Sequence, residues 1–395
     1  MSRGSGRLGT LVLGIVAGAV AAVLVLAFVG PLQDLLPDKR ELTRQQEAQQ
    51  VIEDSYFRPT GAEELQNASI NGMVKKISEA NDDKFSHYFD PATYERFQAS
   101  SDGEFSGIGV TVAETKRGLR VAQVFAGSPA KSEGIGPGDV IVAADGKPLA
   151  GVSADAAASR IKGPPGTTVD ITVVDAKTGK RRDLEVERAN VKVPAVRGRI
   201  ERVDGRKIAY VSLAGFTRGA HGELRSEIEK LDRQGAEGLV FDLRGNGGGL
   251  VDEAVLVQSI FQEEGPVLTI EGRARDKRTF DVTGDSLDGI GPMAVLVDGN
   301  TASASEIVTA ALKENDLATV IGTRTYGKGV FQEVIPLEAG GALDITVGEY
   351  LTSDGTSILG KGVVPDIRIA DEDPRDGDDV LDAGLDDVAS QIQAN

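Results

Sequence analysis

Apolar residues follow four different patterns along the chain. From Leu11 to Val29 there is no alternation, only an uncharged run of 19 residues, LVLGIVAGAVAAVLVLAFV. As a helix rising about 1.5 Å per residue it would span about 28 Å, close to the hydrocarbon thickness of a bilayer. From Glu41 to about Gln98 polar and apolar residues mix at helical spacing (QQVIEDSY, then ELQNASINGMVKKI), which predicts an N-terminal helical region over residues 41–100. Within it Asp90 and Pro91 stand as N-cap and first residue of a short helix, DPATYERFQ. At Gly103 the texture changes to short β-rich runs separated by glycine: GIGVTVAE, LRVAQVF, DVIVAADG, TVDITVVD and RRDLEVER. Two small helices interrupt them, SPAKSEG and Ala154 to Ile161, so residues 103–190 read as a compact β-rich module. After a linker near residues 191–199, strands and helices alternate. KIAYVSLAGF is followed by HGELRSEIEKL, whose Leu224, Ile228 and Leu231 share one helix face. GLVFDLRG, VDEAVLVQSIF, MAVLVDG, SEIVTAALKEN and LATVIGT continue the alternation. Residues 200–370 are thus predicted to form an α/β core, with its site at the carboxyl ends of the strands.

The composition narrows the chemistry. A chain of 395 residues has room for two or three domains, and 40% hydrophobic with 26% charged residues is the balance of a globular protein. There is no cysteine, which removes disulfides, thiol catalysis and thiolate-held metals. His87 and His221 are the only histidines, so a three-histidine metal site is impossible. No metal or other cofactor is expected. The net charge of −18 argues against a nucleic-acid surface. Nine acidic residues and one arginine lie in residues 371–395, which read as an acidic tail or solvated terminal helix. Arg3 and Arg7 precede the apolar run, and Asp34 and Asp38 follow it. That asymmetry predicts a cytoplasmic stub over 1–10, a signal anchor over 11–29 and a body outside the cytoplasm. The run is longer than a signal-peptide core and ends without a small-x-small site, which favours an anchor over a cleaved signal.

Three glycine clusters carry different weight. Gly322 to Gly329, GTRTYGKG, has P-loop spacing but ends in glycine where a magnesium-binding hydroxyl is needed, and a strand follows it. Gly245 to Gly249, GNGGG, has Gly247 where a hydrolase elbow has serine, so it supplies no nucleophile; its exposed N–H groups still suit an oxyanion hole. Ser106, Gly107, Ile108 and Gly109 form a glycine-rich loop entering a strand, able to present N–H groups to a peptide carboxylate while the strand pairs with the peptide. The segment NTASASEI places Ser303 and Ser305 where a strand turns into a helix. Each can serve as a plain N-cap or as a nucleophile beside a helix N-terminus. His87 lies before the β-rich module and His221 sits in a polar segment with no motif around it, whereas Lys328, between Gly327 and Gly329, is a base if burial keeps it neutral.

With GSPA, GIGPGDVIVAADGKPL and IKGPPGTTVDITVV, the SGIG segment resembles a bacterial PDZ domain. The wider set DKFSHYFDPATYERFQ, GEFSGIGV, YVSLAGF, GLVFDLRGNGGGL, LVDGNTASASEIVTAAL and TRTYGKGVFQEVIPL resembles the carboxy-terminal processing peptidases, or tail-specific proteases, from about Gln45 to Ile392. That resemblance implies a ClpP/crotonase-like spiral ββα core with an inserted PDZ domain, following the N-terminal helical arm and the one transmembrane helix that the residue pattern predicts. It also implies a serine endopeptidase that takes protein substrates by their C-termini. Its nucleophile falls on Ser303, its general base on Lys328 and the residue orienting that lysine on Gln332. An acid near Glu314 takes the last role in some branches. The oxyanion donors fall on the N–H groups of Ala304 and Gly247. Small departures are Thr301 for the common serine, Asp-Lys-Phe-Ser (83 to 86) for Asp-Pro-Tyr-Ser, and Lys162 for arginine. The competing reading is a non-catalytic, membrane-tethered PDZ adaptor. A trypsin-like PDZ protease is excluded by domain order and by the missing serine of GNGGG. Helical segments at both ends are candidates for homodimer contacts.

Overall fold

The computed structural model describes residues 39–370 and 377–394. The expected stub and anchor over residues 1–29 lie outside them; among the described residues no helix is long and apolar enough to cross a membrane. The chain divides into two units, residues 1–77 and 78–395. In the first, helix Lys39–Ser55 precedes the start of helix Ala62–Asn81, and Gln45 Nε2 donates to Ser69 Oγ at 2.5 Å. Val51, Ile52, Tyr56, Phe57, Met73 and Ile77 of this unit are exposed.

The helical pattern breaks after Asn81. His87–Phe89 is a strand, antiparallel to Ala342–Leu351 with His87 opposite Asp344. Three residues, two of them β-favouring aromatics, are too few to show a helical period, so the pairing partner decides their conformation. Helix Pro91–Ser101 follows, with Asp90 accepting the Thr93 N–H at 2.7 Å.

The β-rich module has strands Val110–Thr115, Gly118–Val124, Val140–Ala144, Thr168–Val174 and Arg181–Glu187 side by side in that order. Leu119, Val121, Ile141, Val169, Ile171 and Val173 pack with Ile108, Ile135 and Ala157 into its own core. Helices Pro129–Ser132 and Ala154–Ile161 cover it. Val110–Thr115 is an edge strand of that sheet. Its Glu114 carboxylate accepts the Ala154 N–H at 3.1 Å, which ties the edge to the second helix.

The remaining core is built on two sheets. The larger runs Val196–Val203, Arg206–Leu213, Gly238–Asp242, Met293–Val297, Thr319–Gly322 and Ile367–Arg368, the first pair antiparallel and the rest parallel. Gly238–Asp242 and Met293–Val297 are buried at every position, as parallel strands covered on both faces must be. Helices Ala220–Asp232, Val251–Gln258 and Ala304–Glu314 cover one face.

The other face corrects the expectation of a solvated tail. Helix Asp379–Ala394 packs Val380, Leu381, Leu385, Val388 and Ala389 on Ile208, Val240, Ala294, Leu296 and Ile321. Asp379, Asp382 and Asp386 point outward, so the helix is amphipathic and its high charge belongs to one side only. Asp378 anchors its start by accepting the Leu381 N–H at 2.9 Å and bonds of 2.6 and 2.8 Å from Arg244.

The second sheet is antiparallel, with Val330–Pro336, Ala342–Leu351, Pro266–Gly272 and Arg275–Asp281. Helix Ala304–Glu314 lies between the sheets. Val308 and Leu312 face the larger one, while Ile307 and Ala311 meet Val267, Leu268, Ile270 and Tyr350 from the smaller. Apolar residues on every side are what such a buried helix requires.

The covered face of the terminal helix gives a stability prediction. Leu385→Ala will lower the unfolding free energy by about 2–4 kcal/mol in urea titration. An effect below half a kcal/mol would return the helix to the solvated class.

Candidate active site

Ser303 stands in the turn between strand Met293–Val297 and helix Ala304–Glu314, with φ 58° and ψ −119°. A positive φ costs a non-glycine residue of order 1–3 kcal/mol, so the surroundings must hold it. Asp298 does part of this. It accepts N–H bonds from Asn300 and Thr301, both at 2.9 Å, the Thr301 hydroxyl at 3.1 Å and the Gly245 N–H at 3.0 Å. Burial raises the Asp298 carboxyl pKa, and the bonds from Gly245, Asn300 and Thr301 more than offset it, for a net downward shift.

The glycine turn packs directly on the serine turn. Asn246, fully buried, accepts the Ala302 N–H at 3.0 Å and the Ser305 hydroxyl at 2.9 Å through its carbonyl. Its side chain bridges the Leu213 carbonyl at 2.8 Å and the Gly248 N–H at 2.9 Å. Gly248 has φ 101°, and a Cβ there would fall 2.9 Å from both the Ala304 nitrogen and the Ser303 Cβ. Only glycine lets the two turns touch. Ala304 is the first helical residue, where an α-helix offers its N–H no internal acceptor. The Gly248 N–H is occupied by Asn246, while the space beside Gly247 is open. The two expected oxyanion donors therefore sit on turns that touch at Gly248.

Lys328 lies in the extended segment before strand Val330–Pro336. Glu306 joins it to the serine. This carboxylate, fully buried, accepts the N–H of Ser303 at 2.9 Å, of Gly327 at 2.7 Å and of Lys328 at 3.0 Å, and the Thr325 hydroxyl at 2.5 Å. Close approach is again needed on the far side, since a Cβ at Gly329 would lie 2.5 Å from the Leu359 nitrogen. The Lys328 ammonium sits 4.8 Å over the Phe85 ring. Burial pulls its pKa below the ordinary lysine value, and Asp344, Asp83 and Glu306 pull the other way without restoring it.

Tyr350 closes the base of the site. Its hydroxyl donates to the Lys328 carbonyl. Burial pushes that hydroxyl well above its ordinary pKa and Glu306 adds to the rise, while the Ser303 side chain opposes it. Gln332, on strand Val330–Pro336, donates through Nε2 to Thr346 Oγ1 at 3.0 Å. The structure thus joins Ser303 and Lys328 through their backbones, and records the Gln332 amide against Thr346. Glu314, by contrast, accepts from the Ser353 hydroxyl and from the Asp354 N–H at 3.1 Å.

The remaining expected residues lie elsewhere. Ser106 Oγ donates to the Gly163 carbonyl at 2.5 Å, and the Ile108 side chain is in the module core. The Ile108 carbonyl accepts from Ala130 at 2.9 Å and that of Gly109 from Phe125 at 3.0 Å, so the loop is pinned where it enters edge strand Val110–Thr115. His221 Nδ1 lies 2.8 Å from Glu253, which also accepts the Gly219 N–H at 2.7 Å at the start of helix Ala220–Asp232. No group of three metal-ligating side chains occurs among the described residues.

Sequence reasoning missed Glu306, Asn246 and Tyr350. Glu306 had a signal, since Ser303-x-x-Glu306 has capping-box spacing. Asn246 was hidden among glycines, and Tyr350 reaches the site only through the pairing of distant strands.

Comparison with known proteins identifies the family. The pattern of Peptidase family S41 matches residues 207–369, and that of the PDZ domain residues 97–174. A carboxy-terminal-processing protease of Bartonella bacilliformis is 34% identical over 335 residues, 84% of this chain and 75% of its own. Among solved structures, the photosystem II D1 C-terminal processing protease superposes with a TM-score of 0.50 at 26% identity, over 85% of this chain and 94% of that one. The chain belongs to the carboxy-terminal-processing proteases of peptidase family S41 and is a PDZ-containing serine protease.

Proposed function

We propose that Ser303 and Lys328 form the catalytic dyad. The observation that supports it best is the single Glu306 carboxylate bonded to the backbone N–H of both residues. Neutral Lys328 takes the proton of Ser303 as Oγ bonds to the scissile carbonyl carbon. The carbonyl oxygen becomes an oxyanion, stabilised by the N–H groups of Ala304 and Gly247. Collapse breaks the C–N bond, and Lys328 returns its proton to the leaving amine. Water, deprotonated in turn by Lys328, releases the acyl group and restores Ser303. Gln332 accepts a hydrogen bond from the lysine amine and orients it.

Capture of the substrate C-terminus is assigned to the PDZ domain. The peptide adds to edge strand Val110–Thr115 beside helix Ala154–Ile161, with its carboxylate on the loop Ser106 to Gly109. The core takes the spiral ββα arrangement. Residues 11–29 tether the chain to a membrane with the catalytic body outside the cytoplasm. A homodimer uses the exposed apolar side chains around Tyr56 and Phe57, because the terminal helix Asp379–Ala394 has its apolar face on the sheet.

Full-length protein in detergent, given a substrate with an apolar C-terminal tail, separates the mechanisms. Ser303→Ala and Lys328→Ala will each abolish cleavage, whereas His87→Ala and His221→Ala will retain substantial activity. A dead histidine variant beside an active Lys328→Ala would sink the dyad. Wild-type protein that binds tails and never cuts them would support the adaptor reading instead.

The acid limb of the rate profile tests the lysine. Its ammonium is favoured by Asp344, Asp83 and Glu306, so Asp344→Asn removes one stabilising charge and lowers its pKa further. Neutral base then survives to lower pH, and the acid limb of kcat/KM will move toward lower pH. Movement toward higher pH, or none, would count against Lys328 as the base.

A further inference from the structure

An amide has two unlike ends. If Gln332 is to accept from Lys328, its oxygen must face the amine and its NH2 must face away. Lys328 itself does not decide this, because the opposite orientation merely turns a donor toward it. The decision is made two hydrogen bonds away, in the Asp83 to Ser86 turn.

Gln332 Nε2 donates to Thr346 Oγ1 at 3.0 Å, and the Thr346 hydroxyl donates to Asp83 Oδ1 at 3.1 Å. Asp83 is already surrounded by donors. It accepts the N–H of Phe85 at 2.9 Å and of Ser86 at 3.3 Å, together with the Ser86 hydroxyl. The Ser86 oxygen in turn accepts the Thr346 N–H at 2.9 Å, so both ends of Thr346 are held by the same turn. Burial raises the Asp83 carboxyl pKa, but the bonds from Ser86, Phe85 and Thr346 outweigh it and the net shift is downward. An ionised carboxylate has no proton to give. Thr346 has one proton, which goes to Asp83, and its oxygen can then only accept. The nitrogen end of Gln332 must meet it.

Strand register brings Thr346 to that place. Along Val330–Pro336, Phe331 stands opposite Gly348 and Gln332 opposite Thr346, so Val347 is skipped by a bulge. In unbroken register Val347 would face Gln332, with no hydroxyl to offer. The same turn also supplies Phe85, whose ring lies under the Lys328 ammonium.

We propose that Asp83 is a positioning residue that, acting through Thr346, sets which end of the Gln332 amide is presented to Lys328. This rests on the role given to Gln332 above. The test uses the full-length enzyme and a fluorogenic peptide, with kcat and KM measured separately and the melting temperature checking the fold. Thr346→Val and Asp83→Ala will each lower kcat about tenfold or more with KM within about twofold, as a mis-set base orientation should. Thr346→Ser, which keeps the hydroxyl, will recover most of the rate. The double variant Thr346→Val/Gln332→Ala will be no slower than Gln332→Ala alone, because both act on one step. Wild-type kcat in folded Thr346→Val, or losses that multiply in the double variant, would overturn the relay. Wild-type kcat in Gln332→Ala is a separate result and would overturn the Gln332 assignment itself.

Discussion

Four donors converge on the Glu306 carboxylate, and the catalytic geometry depends on them. Two come from residues bearing the proposed chemistry, Ser303 and Lys328; the others, Gly327 and Thr325, come from the segment that leads into the lysine. A buried carboxylate is expensive unless its lone pairs are filled, and here every bond that fills them also fixes distance. The serine turn is strained and cannot hold itself. Its N–H is anchored to an acid on its own helix, one turn along, so any shift of the helix carries the nucleophile and the lysine segment together. Thr325 extends the clamp, because its hydroxyl also accepts the Val363 N–H at 2.7 Å.

The other half of the site is set by close approach. Asn246 pulls the glycine turn onto the serine turn, and Gly248 is the point at which the two backbones meet. The N–H groups of Ala304 and Gly247, proposed as the oxyanion donors, then need no side chain to aim them. They are placed by a helix start on one side and a tight turn on the other, both carried by the carboxyl ends of buried parallel strands, where open α/β sheets place their sites.

How much of this could be read along the chain depended on distance in sequence. The alternation of strands and helices after residue 200 was plain, since buried parallel strands such as GLVFD and MAVLV announce themselves. Ser303, Lys328 and Gly247 stood out by local texture. The C-terminal helix was misread because nine acidic residues in residues 371–395 dominate its average, while the stripe Val380, Leu381, Leu385, Val388 is visible only at helical period. Strand His87–Phe89 is too short to show any period, and its partner lies more than 250 residues away. Register was hidden for the same reason: no local signal says that Val347 is skipped, yet that bulge decides what Gln332 meets.

The surroundings of Lys328 show why a lysine is workable here at all. Burial lowers its pKa and three nearby carboxylates, Asp344, Asp83 and Glu306, raise it; the net shift is downward. Such a base must be neutral to accept a proton and still basic enough to hold it during the tetrahedral stage. Asp344 shares this balance, since burial raises its carboxyl pKa while His87 and Lys328 lower it. On the proposed mechanism, a chain with two histidines and no cysteine assembles its proton chemistry in this way, because the carboxylates adjust one amine that the fold partly buries.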